Sequence, residues 1–352
     1  MVDYPVQAET IVSADGRILL YSCEQFVTDV CMGNCCFVCG ANPSSKLFND
    51  EHVIPRWLLK RCGLFDQKIT LPNDQNLKYG GYEVPCCVEC NGLLGRELEI
   101  PVSQLLAGTH DEVFARLDGE AISKLFVWLN LIFLKTHLKD RLLHTHLDRR
   151  LGGAMIADEY YWEEIHHIHA VARSPFTLAT INHDAMGSML FFVVEDDLSP
   201  DTFDWIDFSN EQTVAVRVGR VGIIAVLTDC CAALNARKDL ILKIKGSLTG
   251  TQFRELTAYM AVANTDLINR PSFGTFVARE PSEGVVLWAQ HDDVPKFEPF
   301  KREVFGQALA HVLRDRLEHL DLDGVRGSEA VKERLLQGDV TFLFDADGKF
   351  RS

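Results

Sequence analysis

Two Cys-x-x-Cys knuckles, Cys36/Cys39 and Cys87/Cys90, have the residue types and spacing best suited to chemistry in this chain. Two residues between cysteines let a turn aim both sulfurs at one ion, and four thiolates close a tetrahedral structural zinc (Zn2+) site. Each knuckle is followed by a small turn-forming residue, Gly40 or Asn91. Cys35 and Cys86 adjoin the ligands, and a register shifted onto them, with three-residue spacing, stands as the alternative. Eleven cysteines is an odd count, and nine of them precede residue 91. Such clustering, behind an N-terminus without a basic-then-apolar leader, predicts metal binding in a reducing cytoplasm rather than a disulfide framework.

Between the knuckles lies Asp50-Glu51-His52-Val53-Ile54-Pro55-Arg56-Trp57-Leu58, and the second knuckle runs into Asn91 and on to Leu98-Glu99. Neutral imidazole accepts a proton near pH 7, and carboxylate and amide oxygens are donors for hard cations. In combination these segments resemble the HNH endonuclease family. The likeness is nearer to its bacterial subgroup with Glu-His-x-x-Pro first and Cys-x-x-Cys-Asn last, and it covers about residues 36–99. It implies a ββα-metal fold, two strands and a helix clasping one cation, that hydrolyses phosphodiester bonds. His52 would be the general base, with Glu51 and Asn91 holding a catalytic Mg2+ or Mn2+. Asn76 would be the middle asparagine bracing the loop after the histidine, with Asn73 as its rival. Glu99, eight residues past Asn91 and so near the same helix face, would support the site or, alternatively, pair with an arginine at the surface. The chain departs from the pattern at Glu51, where many members carry Asp, and at Asn91, where the family name promises His.

Arg56, Lys60 and Arg61 fall on a predicted short helix with Trp57, Leu58 and Leu59 as its inner face. They are placed either to meet phosphates or to form a solvated surface.

The rest of the chain must position these groups. With 47% apolar and 24% charged residues, the 352-residue chain has a globular rather than a disordered balance. We expect an α+β protein in three parts: a zinc-braced module over 1–101, a helical plus β region over 102–240, and an α+β domain over 241–352. In the first part, 17–21 is a candidate strand. Leu125, Trp128, Leu129, Ile132 and Phe133 recur at the spacing of one buried helix face. A second helix is expected over 158–172. Strands follow at 176–181, 189–194, 214–218 and 221–227, the last two joined by a Gly219-Arg220 turn. The last part predicts helices at 252–268, 300–320 and 328–336, strands at 274–279 and 285–289, and a closing hairpin around Asp347-Gly348. The order of elements over 249–320 resembles the type III secretion chaperone-like fold, which implies a partner-binding or dimerising domain without chemistry.

Net charge is −15, but the segment 36–100 carries seven basic and eight acidic residues, so the acidity lies elsewhere. That argues against tight nonspecific coating of nucleic acid, and a metal can supply local positive charge. Duplex DNA is the expected substrate through the resemblance, with RNA as the alternative. A role in phage defence and a homo-oligomeric or regulatory protein partner for the C-terminal region are the further expectations. No membrane association is expected, because the apolar run 125–134 is too short to span a bilayer. A non-catalytic zinc-scaffolded binding module is the competing function. His144, His146, His166, His167 and His169 lack a matching ligand pattern and are not read as metal ligands. Cys230-Cys231 reads as a buried pair of small apolar side chains.

Overall fold

The computed structural model describes residues 9–195, 202–277 and 284–351. Helices and strands are both present, in largely separate runs, a mixed α+β protein. The chain divides into two compact units, which cut it differently from the three expected parts: one holds 1–108, 112–186 and 272–290, the other 109–111, 187–271 and 291–352.

In the first unit, strand β1 (Phe48–His52) pairs antiparallel with β2 (Glu83–Cys87). After β1 the chain turns at Val53-Ile54-Pro55, all buried, into helix α1 (Arg56–Arg61). Pro55 suits that junction, since its fixed φ fits a helix start and its missing N–H costs nothing there. Leu58 and Leu59 face fully inward and Trp57 lies 6.2 Å from Trp128. Strand β2 feeds directly into helix α2 (Val88–Leu94), which widens into a π turn over Gly95–Glu99 and continues as Ile100–Leu105. Pro101 follows the π turn. Lacking an N–H, it withholds one i→i−4 bond, and the helix accommodates this by local widening.

Helix α3 (Gly119–Asp140) is the spine of this unit. Asp118 caps it by accepting from the Ala121 amide at 2.8 Å. Leu125 to Leu134 is apolar and buried on every side save for Asn130, itself buried, as in a helix at the centre of a domain. α3 is long and apolar enough to cross a membrane, but 78% of its apolar window is buried inside the protein. The expected helix over 158–172 begins as two 3-10 turns, Ile156–Glu159 and Trp162–Ile165, and is α-helical only over His166–Ala172. The expected strand at 176–181 is helical in its first half (Ser174–Thr177). Leu178, at φ 59°, breaks the direction and leaves Ala179–Ile181 as strand. Ile18–Leu20 pairs with Ile11–Val12, as the strand expected near residue 17 requires.

The strands Ser272–Val277 and Val285–Gln290 join Ala179–Ile181 in this unit, the last pairing being parallel. The residues expected as a C-terminal domain are shared between the two units. Its two strands lie in one compact unit and its helices Gly250–Thr265 and Arg302–Val312 in the other. The elements of the chaperone-like order are thus divided between the two units. The end of the strand expected over 274–279 falls outside the described residues.

The second unit is built on a four-stranded antiparallel sheet ordered Ser188–Val193, Val221–Val226, Thr213–Val218, Phe203–Phe208. The turn at Gly219-Arg220 joins Val218 to Val221 as expected, with Gly219 at φ 63°. Helix Gly250–Thr265, closed by a Thr249/Gln252 capping box, packs on the sheet. The helix expected over 300–320 stops at Val312 and gives way to turns, whereas Ser328–Leu336 is as expected. Phe344 bridges Phe350 around Asp347-Gly348. Cys230 and Cys231 correct another expectation: they are half-buried and exposed, adopt φ of 48° and 64°, and line a cavity.

Candidate metal centre and active site

The first knuckle is a tight turn. The Gly40 amide donates to the Cys36 carbonyl at 2.8 Å, and the Cys36 amide to the Ala41 carbonyl at 2.9 Å. Gly40 sits at φ 78° with the Tyr21 hydroxyl against the place a Cβ would occupy, so only glycine fits. The second knuckle spans the junction of β2 and α2, with Cys90 one turn into the helix. The sulfurs of Cys36, Cys39, Cys87 and Cys90 lie within 4.8 Å of one another. Cys39 and Cys87 are 3.7 Å apart, close to the sulfur–sulfur edge of about 3.8 Å that a tetrahedron with Zn–S near 2.3 Å requires. Among the described residues this is the one cluster able to hold a metal ion such as zinc. Cys86 comes within 3.8 Å of Cys36 but stays outside the four, so the unshifted register is the one formed.

Thiol donors at Cys39, Cys86 and Cys90 hold Cys36 far below the usual thiol range. The Cys36 sulfur in turn pushes Cys39 up to about 12 and Cys90 higher still. Four thiolates this close are compatible only when an ion neutralises them. Neighbouring groups fix the knuckle's peptide. His169 Nε2 lies 2.8 Å from the Phe37 carbonyl, and buried Arg173 donates to the carbonyls of Val38 and Ile18. Burial lowers the Arg173 pKa to about 10, opposed by Tyr21, Cys39 and Cys36. Burial likewise lowers His167 to about 3 and His169 well below the imidazole range, which makes them packing residues.

Beyond the cysteines, the alternation of β1 sends successive side chains to opposite faces. His52 and Glu83 are cross-strand partners, and His52 Nε2 lies 3.2 Å from Glu83 Oε1. The imidazole is 19% exposed and meets Phe65 edge-on at 6.0 Å. Asn49 and Glu51 project from the other face. There the Asn91 amide donates to Asn49 Oδ1 at 3.0 Å. Glu51 is buried, its Oε1 taking a 2.7 Å bond from the Lys135 ammonium of α3. Lys135 Nζ also donates to the His52 carbonyl at 2.7 Å and lies 3.5 Å from Glu99 Oε1. Burial raises Glu99 to about 7, with Lys135 lowering and Glu51 raising it. For Lys135, burial works against the charge, yet Glu51 and Glu99 outweigh it and the pKa is raised.

No protein-family model, curated protein or solved structure matches this chain.

Some of the groups expected at the site are assembled, and others are not. β1, β2 and α2 bring His52, Glu51, Asn91 and Glu99 onto one small unit. Asn76 lies exposed in the hairpin Lys68–Thr70/Asn76–Lys78, accepting from Thr70 at 3.3 Å. Asn73 is buried but donates to the His144 carbonyl. The segment after His52 is instead held by the Val53 amide on the Tyr82 carbonyl, at 2.8 Å. Arg56 and Lys60 are exposed, whereas Arg61 donates to the Leu106 carbonyl at 2.8 Å. Glu51 and Asn91 do not fit as a ready-made pair of Mg2+ or Mn2+ ligands. The Glu51 carboxylate is turned inward onto an ammonium, so only Asn91 Oδ1 is left of the pair, its amide nitrogen donating to Asn49. Glu83 and Lys135 are the groups absent from the sequence reading. A lysine directly after the apolar run of α3 was a signal for the second; nothing local marks the first.

Proposed function

We propose that this protein is a zinc-braced phosphodiester hydrolase, an endonuclease acting on DNA, with His52 as the proton-accepting group. The observation that carries the reading is the ββα unit itself. A two-stranded antiparallel ladder runs straight into a helix at the four-cysteine cluster, with a histidine–carboxylate pair at the open end of the ladder. Glu83 orients the imidazole through Nε2, which leaves Nδ1 to take a proton from an attacking water. Arg56 and Lys60, exposed on the helix that follows β1, supply charge toward the phosphates flanking the cut. Because the Glu51 carboxylate is already paired with Lys135, the roles above are assigned only to the chain's own groups. Structured RNA is the alternative substrate, and phage defence is the setting suggested by the HNH resemblance. The two-thirds of the chain beyond the zinc module is proposed to carry a homo-oligomeric or regulatory contact.

The test is nicking of supercoiled plasmid by the full chain, with Mg2+, with Mn2+ and with chelator, comparing wild type and His52→Ala at equal zinc content. Cleavage lost only in the variant supports the reading. Equal inertness of both proteins on DNA and RNA leaves the competing one, a zinc-scaffolded binding module. That competitor is favoured by one feature, the neutralisation of Glu51 by Lys135.

A further inference from the structure

The Lys135 ammonium is enclosed by oxygen. Around Nζ stand Glu51 Oε1 and the His52 carbonyl, each at 2.7 Å, and Glu99 Oε1 at 3.5 Å. Two carboxylates and a backbone carbonyl are the donor set a protein assembles for a hard divalent cation. Three elements converge to build it: the end of β1, the π turn after α2, and the C-terminal half of α3. The lysine side chain is 0% exposed, so solvent does not share the charge. Glu99 Oε1 is buried and meets the ammonium only through this longer ion pair, while the Glu99 carboxyl also hydrogen-bonds with that of Glu51. The cage is thus looser on the Glu99 side than one ammonium can satisfy.

We infer that Lys135 is a built-in cation occupying the place between Glu51 and Glu99 where a divalent ion would otherwise be held. The carboxylate pair is a cation site whose ligand is covalently part of the chain. Wild-type protein therefore has no divalent-ion affinity at this pair, and removing the ammonium creates one. Lys135 also serves as a positioning residue, since its bond to the His52 carbonyl fixes the peptide that carries the imidazole. The functional meaning rests on the hydrolase reading, but occupancy of the cage is measured without substrate, so each can fail alone.

The experiment uses the full zinc-loaded chain and Mn2+ as probe. Binding is followed by electron paramagnetic resonance titration of free Mn2+ and by thermal unfolding. Wild type should leave Mn2+ free and unfold at the same temperature with or without it. Lys135→Met strands two buried carboxylates, so it should unfold at lower temperature or be recovered insoluble in chelator. Mn2+ should restore it, with a Kd of about 1 mM or tighter, as for weak all-oxygen sites. Adding Glu99→Gln to Lys135→Met should weaken that binding by about tenfold, since one charged donor is lost. The inference is overturned if wild type binds Mn2+ in a manner that Glu51→Gln or Glu99→Gln removes. It is equally overturned if Lys135→Met, soluble or not, responds to Mn2+ no more than wild type does.

Discussion

At the scale of single residues, the histidine and its carboxylate behave as a unit. His52→Ala should lower plasmid cleavage by about 10²–10⁴-fold, the usual worth of a positioned general base. Glu83→Gln keeps the shape but weakens the orientation, and a loss of about tenfold is expected. Combined with His52→Ala, Glu83→Gln should cost nothing further, because its effect runs through the imidazole. An additive loss in the double variant would show that Glu83 acts by another route. Glu99 yields a pH prediction. Its folded pKa of about 7 lies above the ordinary glutamate value of 4.5, so in that interval the folded chain keeps a proton the unfolded chain has released. Stability is fully present below the lower value, falls as pH rises through the window, and stays reduced above it. Glu99→Gln removes the ionisation. Its unfolding temperature should match wild type near pH 4.5 and exceed it by several degrees at pH 8. A constant difference across pH would assign the burial cost to another group.

Elements explain what could and could not be read in advance. The knuckles were legible because Cys-x-x-Cys is a local device, closed by a turn whose residues adjoin it. The hairpin at Gly219-Arg220 and the helix Ser328–Leu336 were legible for the same reason. Partners fixed by tertiary register were not: Glu83 meets His52 only once β1 and β2 align, and Lys135 reaches Glu51 from 84 positions along the chain. The strand Phe203–Phe208 escaped because Asp204 and Asp207 fall on opposite faces, so neither face is cleanly apolar. The helix predicted over 300–320 was overextended, its apolar spacing continuing past Val312 into turns. The same locality makes the zinc site testable as an element. Cys36, Cys39, Cys87 and Cys90 join the first loop to the β2–α2 junction. We expect one zinc per chain by elemental analysis. Cys90→Ser should lose the metal and several kcal/mol of stability, since the free energy of a structural zinc is folding free energy. Cys86→Ser should keep the metal. Zinc lost in both variants would place Cys86 among the ligands, as the register with three-residue spacing requires.

For the whole molecule, charge decides how nucleic acid is met. The chain carries −15 overall, and its site segment is near neutral. Arg56 and Lys60 stand exposed beside the ββα unit, while Arg61 is spent on the Leu106 carbonyl. Affinity for duplex DNA grows with the number of phosphates neutralised, and its logarithm falls with log salt at a slope of about −0.9 for each. Two cations predict a slope of about −2, far shallower than that of a protein wrapped in DNA. Long-range repulsion from the acidic remainder acts mainly at low ionic strength, because the Debye length is about 30 Å at 0.01 M and about 8 Å at 0.15 M. Binding of a short duplex by the full chain, titrated between these salt concentrations, should therefore be weak with a slope that flattens toward low salt. Lys60→Ala should reduce the slope by about one. A steep slope unaffected by Arg56→Ala and Lys60→Ala would locate the nucleic-acid surface on another part of the chain and separate it from the histidine at the end of β1.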